Sequence, residues 1–214
     1  MEHNVSEIRQ NYLAGKLMQS ELKEDPIEQF RIWLDVAVKT DMPEPTAMNL
    51  ATCAQDGTLS SRMVLLKDVD ERGFVFYTNY ESRKADDIKV NTQAALCFWW
   101  GILERQVRVE GRVEIISDNE SDMYFNSRPR GSQIGAIASK QSAVLNSYQE
   151  LRNQFKEVEE KYEGTERIPR PEFWGGYRLV PKRIEFWQQG EDRLHDRFVY
   201  EKGDSNWACN RLAP

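Results

Sequence analysis

Residues 103–115, L-E-R-Q-V-R-V-E-G-R-V-E-I, alternate with a period of two along their whole length. Leu103, Arg105, Val107, Val109, Gly111, Val113 and Ile115 fall on one side, and Glu104, Gln106, Arg108, Glu110, Arg112 and Glu114 on the other. A pleated strand sorts residues in this way, whereas a helix would spread the charges around its circumference. A long strand with one wet face belongs to an antiparallel sheet, so the rest of the chain has to supply its neighbours.

Candidate neighbours are frequent. The apolar or β-branched runs 47–53, 62–69, 74–78, 94–100, 177–180, 184–188 and 197–200 read as strands, with turn signals at Gln55-Asp56-Gly57, Asp70-Glu71-Arg72-Gly73 and Gly190. Helical signals lie between them. Asp25-Pro26 is an N-cap followed by proline at the first helical position, and Phe30, Trp33, Leu34 and Ala37 follow at helical spacing. The Pro43-Glu44-Pro45 segment closes that helix. Ser82 caps a helix over 83–90, and Ser117-x-x-Glu120 opens another that Pro129 stops. Residues 132–139 form a further short helical stretch. Ser147-x-x-Glu150 opens an amphipathic helix whose stripe, Leu151, Phe155, Val158 and Tyr162, serves core or dimer packing. Pro169-Arg170-Pro171 is a rigid link. The expectation is one α+β domain over 25–214 with roughly six or seven mostly antiparallel strands, arranged as a barrel that removes exposed edges. A polar, mobile segment, 1–24, precedes it, with a short helical pattern around Ile8, Tyr12 and Leu13.

Charge narrows the function. The 214 residues carry 29 Lys and Arg against 35 Asp and Glu, a net charge of −6, which argues against a general nucleic-acid binder. The cations are nevertheless grouped, with Arg62, Lys67, Arg83 and Lys84 in one set and Arg128, Arg130, Arg193 and Arg197 in others. Focused basic spots on an acidic protein suit small anions. Cys53, Cys97 and Cys209 are far apart and lack metal or redox spacing, so neither a disulfide framework nor a zinc site is expected. No run approaches the ~18 apolar residues of a membrane span, and the N-terminus has no signal-like apolar core, so a soluble, cytoplasmic protein is expected.

Three clusters could carry chemistry. Arg83 and Lys84 occupy the first turn of a helix, where the dipole favours anions; either a bound phosphate completes this site or it is a solvated basic turn. Tyr124 and Arg128, four apart on a helix, and Ser132 near the next helix start offer a hydroxyl, a guanidinium and a helix N-terminus. Those are the parts of a phosphate site, or else of an ordinary helix end. Arg193, His195 and Arg197 share a face if the segment is a strand, aiming two guanidiniums and an imidazole together. A satisfied surface histidine beside Asp196 is the alternative. His3 lies in the tail and is inert. Glycine-rich dinucleotide or nucleotide loops, a G-x-S-x-G elbow and paired metal-binding histidines are missing from the sequence.

Ten runs occur in order: R-M-V-L-L-K (62–67), F-Y-T-N (76–79), S-R-K-A (82–85), L-E-R-Q-V (103–107), S-R-P-R-G-S-Q-I-G-A (127–136), S-K-Q-S (139–142), F-W-G-G-Y-R (173–178), I-E-F-W-Q (184–188), R-L-H-D-R-F (193–198) and R-L-A-P (211–214). Together they resemble the pyridoxamine 5′-phosphate oxidase family over nearly all of 25–214. The resemblance implies a split β-barrel with flanking helices and a homodimer with FMN at the subunit interface. Carried onto matching positions, it places Arg62, Met63, Val64, Leu65, Leu66, Lys67, Tyr77, Thr78, Arg83, Lys84, Gln106, Gln141, Ser142, Trp187 and Arg197 around the flavin, with Arg83 and Lys84 on its phosphate. It places Lys67, Tyr124, Arg128 and Ser132 on the substrate phosphate, and Arg193 and His195 at the pyridine end as the catalytic pair. Arg9 and Tyr12 match a segment that closes over the site. The implied reaction oxidises pyridoxine 5′-phosphate or pyridoxamine 5′-phosphate to pyridoxal 5′-phosphate, a hydride passing from C4′ to flavin N5. O2 is the final acceptor, giving H2O2, and the amine also yields ammonia. A related flavin protein with another acceptor, or a vitamer-binding or flavin-storage module, are the alternatives.

Overall fold

The computed structural model describes residues 15–204 and 206–214, which form nine strands and five α-helices. The strands are β1 (Ala47–Cys53), β2 (Leu59–Leu65), β3 (Asp68–Asp70), β4 (Gly73–Asn79), β5 (Gln93–Trp100), β6 (Arg105–Ile115), β7 (Trp174–Gln188), β8 (Asp196–Lys202) and β9 (Trp207–Leu212). The helices are α1 (Pro26–Val38), α2 (Arg83–Val90), α3 (Asp118–Ser127), α4 (Arg130–Ala138) and α5 (Tyr148–Lys161). The strand order is β2-β1-β5-β6-β7-β4-β3, and β8 pairs with both β7 and β9. The pairings β1–β2, β3–β4, β4–β7, β7–β8 and β8–β9 are antiparallel, as the alternating pattern requires.

Contacts divide the chain into two compact units. The larger unit holds residues 46–96 and 110–182. Its sheet buries Met48, Leu50, Phe74, Phe76, Leu96, Val113, Tyr177 and Leu179. A second cluster, Phe125, Ile134, Ile168 and Trp174, takes the half-buried stripe of α5, Phe155, Val158 and Tyr162. The smaller unit holds, among the described residues, 15–45, 97–109 and 183–214. Its core is aromatic: Phe30 lies 4.9 Å from Phe98, and Trp33 meets Phe186 edge-on at 5.2 Å. In α1 the Asp25 carboxylate accepts from the Ile27 N–H at 2.9 Å, as expected of the cap.

Several expectations need correction. The strand expected at 62–69 is two strands, because the chain changes partner at its middle. β2 pairs with β1, the Leu66 N–H donates to Thr46 O at 2.9 Å, the Lys67 N–H donates to Val75 O at 2.9 Å, and β3 pairs with β4. Conversely, the strands expected at 177–180 and 184–188 are one. Pro181 sits inside β7 between the stretch paired with β4 and the stretch paired with β8, where its missing N–H breaks neither ladder. The long alternating strand starts at Arg105, since Gly101–Leu103 is a 3-10 turn followed by Glu104 with φ of 53°. Its buried face comprises Val107, Val109, Gly111 and Val113, while Ile115 is exposed. Helix α4 begins at Arg130, two residues before expectation, and β9 was not anticipated. Nine strands therefore replace six or seven. Residues 15–24 fall within the segment expected to be mobile, yet Leu17 is buried and its N–H donates to Asp196 Oδ2 at 3.0 Å. No described helix is long and apolar enough to cross a membrane.

Candidate active site

The larger unit contains a cavity of about 640 Å³ whose walls come from β2, β4, α2, α3, the α4–α5 loop and the start of β7. It gathers Arg62, Met63, Val64, Leu65, Lys67, Tyr77, Thr78, Arg83, Lys84, Gln141 and Ser142 from the expected flavin set, with Tyr124 and Arg128 from the expected substrate set. Leu66 does not line it. The side chain is buried at the point where β2 gives way to β3. Ser132 lines an adjoining cavity of about 330 Å³ that shares Arg128, Gln141 and Trp174 with the first.

Lys84 is buried, and its ammonium donates to Gln141 Oε1 at 2.7 Å, Thr78 Oγ1 at 3.1 Å and Ser82 Oγ at 3.2 Å. All three acceptors are neutral, and Lys84 makes no ion pair among the described residues. Burial, and then the charge of Arg62, lowers its pKa to about 8. Ser82 is the N-cap residue by position only. Its hydroxyl donates to Asn79 O at 2.8 Å and is turned toward Lys84, so it leaves the helix N–H groups uncapped. The Arg83 N–H instead donates to Ser142 Oγ at 3.3 Å, and Ser142 is held in the left-handed region with φ of 75°. A helix start that its own N-cap side chain leaves unbonded, with two cations that form no ion pair among the described residues, makes an anion site.

Arg62 is fixed from behind. Its Nη1 donates to Leu50 O at 3.1 Å and Thr52 Oγ1 at 2.8 Å, its Nη2 reaches Ser60 Oγ, and Asp87 lies 3.8 Å away. Asp87 is buried and accepts from Thr52 at 2.6 Å and Ser60 at 2.9 Å. Thr52, Ser60 and Asp87 were not anticipated, because nothing in their spacing joins β1, β2 and α2.

At the other wall three rings lie nearly parallel. Tyr77 and Tyr124 stack at 3.9 Å and 18°, and Tyr124 and Trp174 at 6.2 Å and 7°. Burial, then the Glu120 carboxylate, pushes the Tyr77 phenol up to about 12, so it stays a neutral donor. The Arg128 guanidinium sits 4.6 Å over Trp174, and its Nη1 is buried with no partner. Burial lowers the Arg128 pKa but leaves the group a cation. An orphaned buried donor on an unneutralised arginine, beside Tyr124 and Lys67, is a second place for an anion.

The remaining expected residues lie in the smaller unit. Gln106 is half-buried on β6. The His195 ring lies 4.6 Å from Trp187, and its Nδ1 accepts the Gly190 N–H at 3.2 Å. Burial, then Arg193 and Arg197, lowers the His195 pKa and favours neutral imidazole. Arg197 donates twice to Glu185 Oε1, at 2.9 and 2.8 Å. The strand expected to carry Arg193, His195 and Arg197 does not extend over all three. Arg193 closes a 3-10 turn, Glu191–Arg193, with φ of 66°, and β8 starts only at Asp196. Arg9 and Tyr12 lie outside the described residues.

A family model described as pyridoxamine 5′-phosphate oxidase matches residues 34–162, and one described as pyridoxine 5′-phosphate oxidase C-terminal dimerisation region matches 174–214. The pyridoxine/pyridoxamine 5′-phosphate oxidase of Thermosynechococcus vestitus is 54% identical over 98% of this chain and 99% of its own length. Among solved structures, PhzG from Burkholderia lata, in complex with tetrahydrophenazine-1-carboxylic acid, superposes with a TM-score of 0.88 at 30% identity, over 94% of this chain and 99% of that one. A pyridoxamine 5′-phosphate oxidase-related, FMN-binding protein from Nostoc punctiforme shares the fold at 14% identity, with a TM-score of 0.72 over 90% of this chain and 100% of that one. The chain belongs to the pyridoxamine 5′-phosphate oxidase family.

Proposed function

We propose that this protein binds FMN and oxidises pyridoxine 5′-phosphate and pyridoxamine 5′-phosphate to pyridoxal 5′-phosphate in the cytoplasm, with O2 as the final acceptor. One observation carries the reading: a single cavity is lined by two cations, Lys84 and Arg128, that no carboxylate neutralises among the described residues, and by the stacked rings of Tyr77 and Tyr124. A flavin and a vitamer phosphate each bring one flat ring system and one phosphate, which is what such a cavity matches. Full-length identity of 54% to a pyridoxine/pyridoxamine 5′-phosphate oxidase supports the substrate class.

The residues suit FMN. Arg62, Arg83, Lys84, Ser142 and the start of α2 would hold its phosphate, and Met63, Val64, Leu65, Lys67, Tyr77, Thr78 and Gln141 its ring side. Gln106, Trp187 and Arg197 complete the set in this proposal. When bound, FMN supplies the hydride acceptor; the protein supplies position and field. Lys67, Tyr124, Arg128 and Ser132 grip the substrate phosphate and so fix the distance of the reacting carbon. Arg193 and His195 act at the pyridine end, where the imidazole, its Nδ1 occupied by the Gly190 N–H, offers Nε2–H as a hydrogen-bond donor to the substrate. Arg9 and Tyr12 cover the bound substrate. The match of 174–214 to a dimerisation region supports two copies of this chain as the working unit, with the flavin at their interface and residues 25–214 as the folded domain of each.

The deciding experiment adds pyridoxine 5′-phosphate to the FMN-loaded protein without oxygen and follows the flavin absorbance. The expected result is complete bleaching, restored by air with release of peroxide. A flavin protein that uses another substrate would stay yellow, and a vitamer-storage protein would never take up FMN. Either result overturns the assignment.

A further inference from the structure

Three arginines surround the start of β7, and they are held in different ways. Arg170 is neutralised: its Nε donates to Asp122 at 2.6 Å, its Nη2 to Asp118 at 2.6 Å, and its Nη1 to the Trp174 carbonyl at 2.7 Å. Arg178 is neutralised as well, with Nη2 3.0 Å from Glu120 and 3.4 Å from Asp70. Arg128 has no ion pair and no side-chain hydrogen bond among the described residues. What holds it is aromatic surface, with Trp174 at 4.6 Å from its guanidinium carbon and Phe125 at 5.9 Å.

The difference matters chemically. A carboxylate would fix the guanidinium by occupying its N–H fork and cancelling its charge, leaving little for an incoming phosphate. An indole face fixes the same group through its π-surface and leaves the in-plane donors free. Arg128 Nη1 is left without a partner among the described residues; the Nε of Arg178 is unpartnered too, but there the charge is already cancelled by Glu120 and Asp70. Trp174 is itself immobilised: its carbonyl takes the Arg170 hydrogen bond, its N–H donates to Pro171 O at 3.0 Å, and its ring packs edge-on to Phe125 at 5.2 Å.

We infer that Trp174 is a positioning residue for the substrate phosphate: it orients an unneutralised Arg128 toward the cavity and thereby makes the protein select phosphorylated over unphosphorylated vitamers. The inference rests on the function proposed above. Nothing in it requires Trp174 to touch the reacting atoms.

The test compares Trp174→Leu and Trp174→Phe with the parent, all loaded with FMN. Binding of pyridoxal 5′-phosphate and of pyridoxal is read by calorimetry, and turnover of pyridoxine 5′-phosphate by peroxide release. Trp174→Leu is expected to raise Kd and KM for the phosphorylated vitamers roughly 3- to 30-fold, the span of a desolvated cation–π contact. Pyridoxal affinity and kcat should hold, and Trp174→Phe should recover most of the loss. Should Trp174→Leu fail to fold, the Phe variant still decides the matter through a smaller loss confined to the phosphorylated ligand. Equal weakening of both vitamers, or undiminished affinity for the phosphorylated one, overturns the inference. A parent protein that binds FMN but neither vitamer overturns the functional reading, and this inference with it.

Discussion

Lys84 Nζ lies 2.7 Å from Gln141 Oε1, and Thr78 Oγ1 donates to the same oxygen at 2.9 Å. An ammonium is thus buried against a neutral amide and hydroxyls, with burial and Arg62 together lowering its pKa from 10.5 to about 8. The sign of the consequence is fixed by that direction. A lysine that releases its proton more readily in the folded than in the unfolded state supports folding above its unfolded pKa, and this support is lost as pH falls through 8. The FMN-free protein should therefore carry a cost at pH 7 of roughly 3 kcal/mol from this one group. A bound phosphate would reverse the shift by pairing the charge. FMN binding at pH 8.5 should then take up roughly half to one proton, measured by titration calorimetry in two buffers of different ionisation enthalpy. Uptake indistinguishable from zero would place the phosphate elsewhere.

Lys84→Met separates the two roles of the residue. Removing a buried, unneutralised charge should raise the melting temperature of the FMN-free protein, or at least leave it unchanged. FMN affinity should fall by roughly 10- to 100-fold, the loss of one charge-assisted contact worth about 1.5–3 kcal/mol. Thermal melts with and without FMN give both numbers from one preparation. A variant less stable without FMN and unaltered in FMN affinity would contradict the assignment.

Glu120 organises the helix that carries Tyr124 and ends just before Arg128. It closes the capping box with Ser117 and takes hydrogen bonds from Arg178 and Arg72, both at 3.0 Å. The Ser117 hydroxyl first, and then Arg178 working against partial burial, hold its carboxyl at about 2. Because the folded pKa lies below the unfolded value of 4.5, the stability it contributes is complete above pH 4.5 and disappears as pH falls toward 2. Glu120→Gln should cost roughly 1–3 kcal/mol at neutral pH and flatten the acid limb of the stability curve. Urea denaturation at pH 3, 5 and 7 checks this, and parallel curves for variant and parent would exclude the linkage.

How far the sequence leads can be judged from these residues. Helix α2, with Arg83 and Lys84 in its first turn, is a local pattern, and so is the capping box at Ser117; both are legible because the interacting groups lie within a few residues of each other. The break between β2 and β3 is not local. It exists because Thr46 and Val75 compete for neighbouring amides, and no periodicity in 62–69 records that competition. Asp87 belongs to the same class, since its contacts come from residues 27 and 35 positions away. Trp174 sits inside a run that carried the family resemblance, yet only the structure places Arg128 over its ring. The strand period imposed on 193–197 failed for a different reason: two consecutive non-glycine residues, Asp192 and Arg193, adopt positive φ, which a single sequence gives little reason to expect.

Gly111 is the position in the alternating strand where the structure permits no side chain. A Cβ there would lie 2.1 Å from Val180 O, 2.9 Å from its carbonyl carbon and 3.0 Å from Pro181 Cα. All three are backbone atoms, so the clash cannot be relieved by rotating a side chain. Pro181 stiffens the chain at the same point. Alternation alone reads Gly111 as one more inward residue; close approach of β7 is why it has to be the smallest. Gly111→Ala should therefore lose more than about 3 kcal/mol or fail to fold, as overpacking against a fixed backbone does at the upper end of its range. Gly131→Ala is the matched control, because its Cβ meets nothing within 4 Å and the residue lies inside α4. That substitution should leave stability unchanged or raise it by about 0.5–1 kcal/mol through helix propensity. The urea midpoint should fall for Gly111→Ala and hold or rise for Gly131→Ala, and a Gly111→Ala protein as stable as the parent would show that β6 and β7 do not approach this closely in solution.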